Sequence, residues 1–138
     1  MSRDELRDFL DQVQRAFFAG DVDALRQHFA LPLVVYSAAG VVVRRTEKEF
    51  ARLVEDYRDA LLATSVVVGH QMIVARDPLV NNRCRATVRT TEVDADGQAV
   101  ASALIRYFLV ADSGSYLIEM MEYLEAPLPI SEIERIIH

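Results

Sequence analysis

Two ionisable residues stand where the surrounding pattern is apolar. His70 lies in SVVVGHQMIV, where Val66, Val68, Met72 and Val74 share its parity. Glu122 lies in SYLIEMMEYLE, in step with Ile118, Met120 and Leu124. Strand side chains alternate between two faces, so both are predicted to point inward with their apolar neighbours. Desolvation raises the pKa of a carboxyl in such a place, which is how a general acid or base is tuned toward neutrality. His70 and Glu122 are therefore the candidate catalytic pair, with Tyr36, Tyr57, Thr90, Tyr107 and Met120 as the candidate ligand pocket around them. The plain alternative is that Glu122, near a strand end, reaches solvent or pairs with an arginine, and that His70 is a hydrogen-bonded core residue.

Other chemistries find no support. The three histidines, at 28, 70 and 138, lack metal-ligand spacing, and no Cys/His cluster exists. There is no phosphate-cradling glycine loop and no GxSxG elbow. DVDADG is too short for a calcium loop and reads as a hairpin. No metal and no cofactor is expected. A net charge of −6 and a pI near 5.0 argue against binding a phosphate backbone, so no nucleic-acid partner is expected. No stretch approaches the roughly 18 apolar residues of a membrane span, and MSRDELRDFL reads as an acidic amphipathic helix rather than a secretion signal. Cys84, the one cysteine, cannot form an internal disulfide and is expected to pack within the sheet. These features predict a cytoplasmic protein with one domain over residues 1–138.

The elements that must position the candidates follow from periodicity. Leu6, Phe9, Leu10, Val13 and Phe17 form the apolar stripe of a first helix, with a capping box at Ser2 and Glu5. Gly20 suits a left-handed helix stop and Asp21 the N-cap of a short second helix, which carries Leu25 and Phe29 inward and ends before Pro32. LVVY and AAGVVVRR read as a strand pair. Thr46 and Glu49 form another capping box, opening a long helix whose buried stripe is Phe50, Leu53, Val54, Tyr57 and Leu61. From Ser65 to about Glu125 the chain reads as four strands, with turns at DADG and DSG. The tail PISEIERIIH is a short helix with a cap at Ser131.

Two-residue turns at Asp96-Gly97 and Ser113-Gly114 would fix the register and assign the faces. The inner face then holds Cys84, Ala86, Val88, Thr90, Ala101, Ala103, Ile105, Tyr107, Leu109, Ile118, Met120, Glu122 and Leu124. The outer face mixes Arg85, Arg106 and Glu119 with Phe108, Met121 and Tyr123, too apolar for a freely solvated surface. Large apolar groups ringed by arginines suit a protein interface, so these six residues are the expected contacts of a homodimer. Arginine stems covering the apolar groups would be the simpler account.

Helices on one face of a curved antiparallel sheet make an α+β roll. The whole chain resembles the NTF2-like superfamily, in particular its SnoaL-like members, through AGDVDALRQHF leading into LP and a strand, TEKEF opening the long helix, and YFLVADSGSYLIEMMEY at the end. The resemblance implies a cone-shaped roll of cystatin/NTF2-like type, with three N-terminal helices on a mostly antiparallel sheet and a short C-terminal helix. It also implies dimers through the outer sheet face. Relatives with isomerase or dehydratase activity carry acidic or Tyr/His groups on the first helix and on early and late strands. Here the first helix ends in Phe17 and Phe18 and LVVY has no acid, a departure from the ketosteroid-isomerase pattern. Three functions remain: a pocket for a small apolar or amphipathic molecule, a cyclase/dehydratase-like lyase or isomerase using His70 and Glu122, or a dimerisation module with a filled core.

Overall fold

The computed structural model describes the backbone of residues 3–138 and side chains from Glu5 onward. The cap expected at Ser2 lies outside the described residues. In chain order the elements are α1 (Arg3–Ala19), α2 (Val22–Arg26), β1 (Phe29–Ser37), β2 (Gly40–Arg44), α3 (Glu47–Leu62), β3 (Val68–Arg76), β4 (Arg83–Val93), β5 (Ala99–Asp112), β6 (Ser115–Glu125) and α4 (Ile130–Ile137).

The corner between α1 and α2 forms as the residue types dictate. Gly20 adopts φ +72°, and a side chain there would meet the Arg58 guanidinium at 3.2 Å. That guanidinium donates to the Phe18 carbonyl at 3.0 Å and ties the end of α1 to α3. The Asp21 carboxylate accepts the Ala24 N–H at 3.1 Å and caps α2. At α3 the Thr46 hydroxyl accepts the Glu49 N–H at 3.1 Å. The strand after α2 starts at Phe29, before Pro32, and its pairing shifts between Phe29 and Val34. In α4 the cap falls at Pro129 with no side-chain hydrogen bond, so Ser131 does not serve as expected.

The six strands form one sheet in the order β2-β1-β6-β5-β4-β3. Only β1 and β6 run parallel; every other neighbour is antiparallel. The α1 and α3 stripes bury Leu6, Phe9, Leu10, Val13, Phe50 and Val54 against Val88, Ile105, Leu109 and Ile118 of the sheet. A smaller cluster joins Leu61, Val66, Leu128, Ile133 and Ile136, seating α4 on the end of α3. The predicted α+β roll is therefore the fold observed, with a mixed six-stranded sheet.

Register decides what the roll can hold. The β4–β5 pairing matches Thr90 with Ala103, Val88 with Ile105 and Ala86 with Tyr107, the expected register, but not through the expected two-residue turn. The Asp94 N–H donates to the Gln98 carbonyl across a three-residue loop, and a bulge between Glu92 and Val93 restores the register. At β5–β6 the expected two-residue turn does form, with Ser113 and Gly114 both at positive φ. The ladder then slips: Leu109 pairs with Ile118, but Phe108 pairs with Met120, leaving Glu119 as an extra residue. This β-bulge reverses the parity from Met120 to Tyr123, until a second slip between Leu104 and Ile105 leaves Leu124 as another extra residue.

Candidate functional site

The bulge relocates several predicted residues. Beyond Glu119 the inward residues of β6 are Met121 and Tyr123, not Met120 and Glu122. Met121 and Tyr123, expected at a dimer interface, line the interior instead, and Met120 leaves the expected pocket. Glu122 faces outward and accepts from Arg106 at 2.9 Å, the plain alternative raised for it. Tyr36, its neighbour across the parallel pair, is 41% exposed on the outer face rather than in the pocket.

His70 also lies outside. On β3 the partly covered residues are Gly69, Gln71 and Ile73, while Val68, His70, Met72 and Val74 are exposed. The apolar alternation of this edge strand marks its outer surface. The predicted His70–Glu122 pair does not come together, and its acid–base mechanism falls with it.

What the elements do bring together is an interior cavity of about 120 Å³. It lies between the inner sheet face, α1 and α3, with Ile133, Ile136 and Ile137 of α4 on its border. The volume is smaller than the ~300 Å³ lower bound for drug-sized ligands. It is close to the roughly 150 Å³ apolar cavity that takes up benzene in an engineered protein. Of the residues named for the pocket, Tyr57 and Tyr107 line this cavity. Thr90 is fully buried on the inner face but behind the cavity wall, its hydroxyl without a partner.

One wall carries an acid that sequence reading passed over. Alternation along β4 turns Cys84, Ala86, Val88, Thr90 and then Glu92 inward. Glu92 is only 4% exposed, and its Oε2 has no hydrogen-bond partner. Burial pushes its carboxyl up to about 7. No arginine, lysine or histidine is among the described residues that line the cavity.

Three tyrosines surround the acid from three elements: Tyr57 on α3, Tyr107 on β5 and Tyr123 on β6. The rings of Tyr57 and Tyr123 lie 5.9 Å apart. Burial, reinforced by the Glu92 charge, raises all three phenols, Tyr123 to about 12, so they stay protonated donors. An apolar chamber with one buried carboxyl and several phenols can orient a small polar head or move a proton.

The outer face is built oppositely. Arg83 pairs with Glu119 at 3.1 Å, Arg85 with Asp77 at 2.6 Å, Arg89 with Glu125, and Arg106 with Glu122. Phe108 lies half-buried among them. Arg85, Arg106, Phe108 and Glu119 are thus on the face expected for the dimer.

An NTF2-like protein of unknown function from Shewanella oneidensis superposes with a TM-score of 0.66 at 17% identity, over 89% of this chain and 98% of that one. A protein with a cystatin-like fold from Nostoc punctiforme gives 0.66 at 12% identity, over 91% of this chain and 92% of that one. The fold is NTF2-like. A third NTF2-like protein, from Novosphingobium aromaticivorans, matches this fold at 0.64 and 12% identity over 88% and 79% of the two chains. No protein-family model and no curated protein sequence matches the chain. Identities this low support the NTF2-like fold and no activity.

Proposed function

We propose that this NTF2-like chain is a SnoaL-like pocket protein that binds a small apolar or amphipathic molecule between its helices and sheet, with Glu92 as the polar anchor. The observation that carries the reading is the Glu92 oxygen buried without a partner in the wall of an otherwise apolar cavity. An isolated buried polar group is costly, so its retention points to a group that satisfies it. A ligand of about benzene size fits the available volume. Toluene, followed by ligand-detected NMR, is a direct probe. It is expected to bind the wild-type protein and to lose binding in Val54→Phe, which fills the chamber from α3. Absence of toluene binding to the folded wild type would refute the pocket.

Catalysis is a second reading, favoured by Glu92 alone. A carboxyl that titrates near neutrality beside tyrosine hydroxyls is the proton-transfer group that a lyase or isomerase in this chamber would use. The outer face supports a further reading as a homodimer interface. Leu104, Phe108, Val110, Leu117 and Met120 stand half-buried among the paired arginines, a mixed surface of the kind that proteins cover. Sedimentation velocity at micromolar concentration should show twice the chain mass, and a monomer would remove the dimer. A cytoplasmic setting completes the proposal, consistent with a single buried cysteine and with no described helix long and apolar enough to cross a membrane.

A further inference from the structure

Around Gly69 the polar groups are unbalanced. A Cβ placed on this residue would lie 2.9 Å from Gln14 Oε1 and 3.0 Å from Glu92 Oε2. Two acceptor oxygens, one from α1 and one from β4, therefore converge over the same backbone position, and neither has a partner. Thr90 adds a buried hydroxyl, and Gln71, the next inward residue of β3, adds an amide with neither end satisfied. Glycine inside a strand marks a place where something approaches the backbone closely. Here that is the end of two acceptor side chains facing into one niche at the cavity wall.

Acceptor oxygens gather in this way around a donor. Among the described residues, the groups facing Glu92 do not supply a countercharge: Gln14 comes from α1, Gly69 and Gln71 from β3, Tyr57 from α3, Tyr107 from β5 and Tyr123 from β6. His70, the nearest imidazole along β3, is on the opposite face of the sheet. An ammonium group offers three N–H donors and the missing positive charge together. The aromatic walls of Phe17, Tyr57 and Tyr123 suit both an apolar body and a cation near ring faces.

We propose that the ligand of this cavity is a small primary amine, its ammonium held by Glu92 and Gln14 over Gly69 and its apolar body in the aromatic chamber. The inference rests on the pocket reading above and narrows it to one head-group chemistry. An anionic ligand would meet an unpaired carboxylate, and a purely apolar one would leave both oxygens unsatisfied.

Four probes with one benzyl body test it: benzylamine, benzyl alcohol, benzoate and toluene. Affinities are measured by calorimetry or ligand-detected NMR at pH 8, where Glu92 is ionised. The expected order places benzylamine about tenfold or more ahead of benzyl alcohol, with benzoate weakest. In Glu92→Gln the amine preference should collapse while toluene binding persists. Gly69→Ala provides a second variant: its methyl group would press on the ends of Gln14 and Glu92 and, at 3.1 Å, on the Thr90 methyl, so circular dichroism is used to check that the variant folds, and the amine preference should be lost. Equal binding of all neutral probes and the amine would overturn the amine assignment and leave the pocket standing. An amine preference that survives in Glu92→Gln would mark general attraction to a chain of net charge −6 and overturn it as well. If no probe binds, the amine assignment and the pocket both fail.

Discussion

Glu92 and Glu122 occupy the same sheet and differ in every respect that matters for function. Glu122 faces outward, half-exposed, with the Arg106 guanidinium 2.9 Å away. Glu92 faces inward, buried, with no cation among the described residues that line its cavity. The outer carboxylate belongs to a set of four ion pairs, three of them between strands and one reaching Asp77 in the loop after β3. The inner one is an unsatisfied group that desolvation keeps near its protonation midpoint at neutral pH. An acid already neutralised by its own chain has little to offer a ligand, whereas an acid left alone in an apolar chamber does.

The contrast can be broken by neutralising each acid in turn. Glu92→Gln should have the larger effect, and it should be stabilising. The folded chain holds the Glu92 proton up to about 7, against an ordinary value of 4.5, so stability falls as pH rises between those values and then levels off. Glu92→Gln removes that penalty, raising unfolding free energy by ~2–3 kcal/mol at pH 8 and leaving it nearly unchanged at pH 4. Urea melts at the two pH values read the difference, and an equal shift at both would contradict it. Glu122→Gln should cost only ~0.2–1 kcal/mol, as for other exposed pairs, and the loss should vanish when salt is raised to about 1 M. A larger, salt-insensitive loss would mean that the two acids are not as different as their surroundings indicate.

Much of this arrangement was legible in the residues. The α1 and α3 stripes, the Asp21 and Thr46 caps, the Ser113-Gly114 turn and the inner face of β4 and β5 all follow from local patterns that the tertiary structure reinforces. The bulge at Glu119 was not, because β-bulges need no glycine or proline and SYLIEMMEYLE alternates plausibly in either parity. One inserted residue was enough to exchange Met120 and Glu122 for Met121 and Tyr123. On β3 the apolar residues mark the wrong side, since an edge strand can carry Val68, Met72 and Val74 on its exposed face while its inner face narrows to Gly69. Glycine at 69 with glutamine at 71 was the available signal. Glu92 lay within reach of the same alternation that placed Thr90 inward, two positions further along and next to the DADG turn, where a carboxylate passes for a surface residue.

The carboxyl titration of Glu92, followed by carbon-detected NMR on selectively labelled protein, bears most directly on these conclusions. A midpoint of about 7 is the predicted result. A midpoint at the ordinary 4.5 would place the acid in contact with water or a cation and contradict the unpartnered anchor on which the pocket depends.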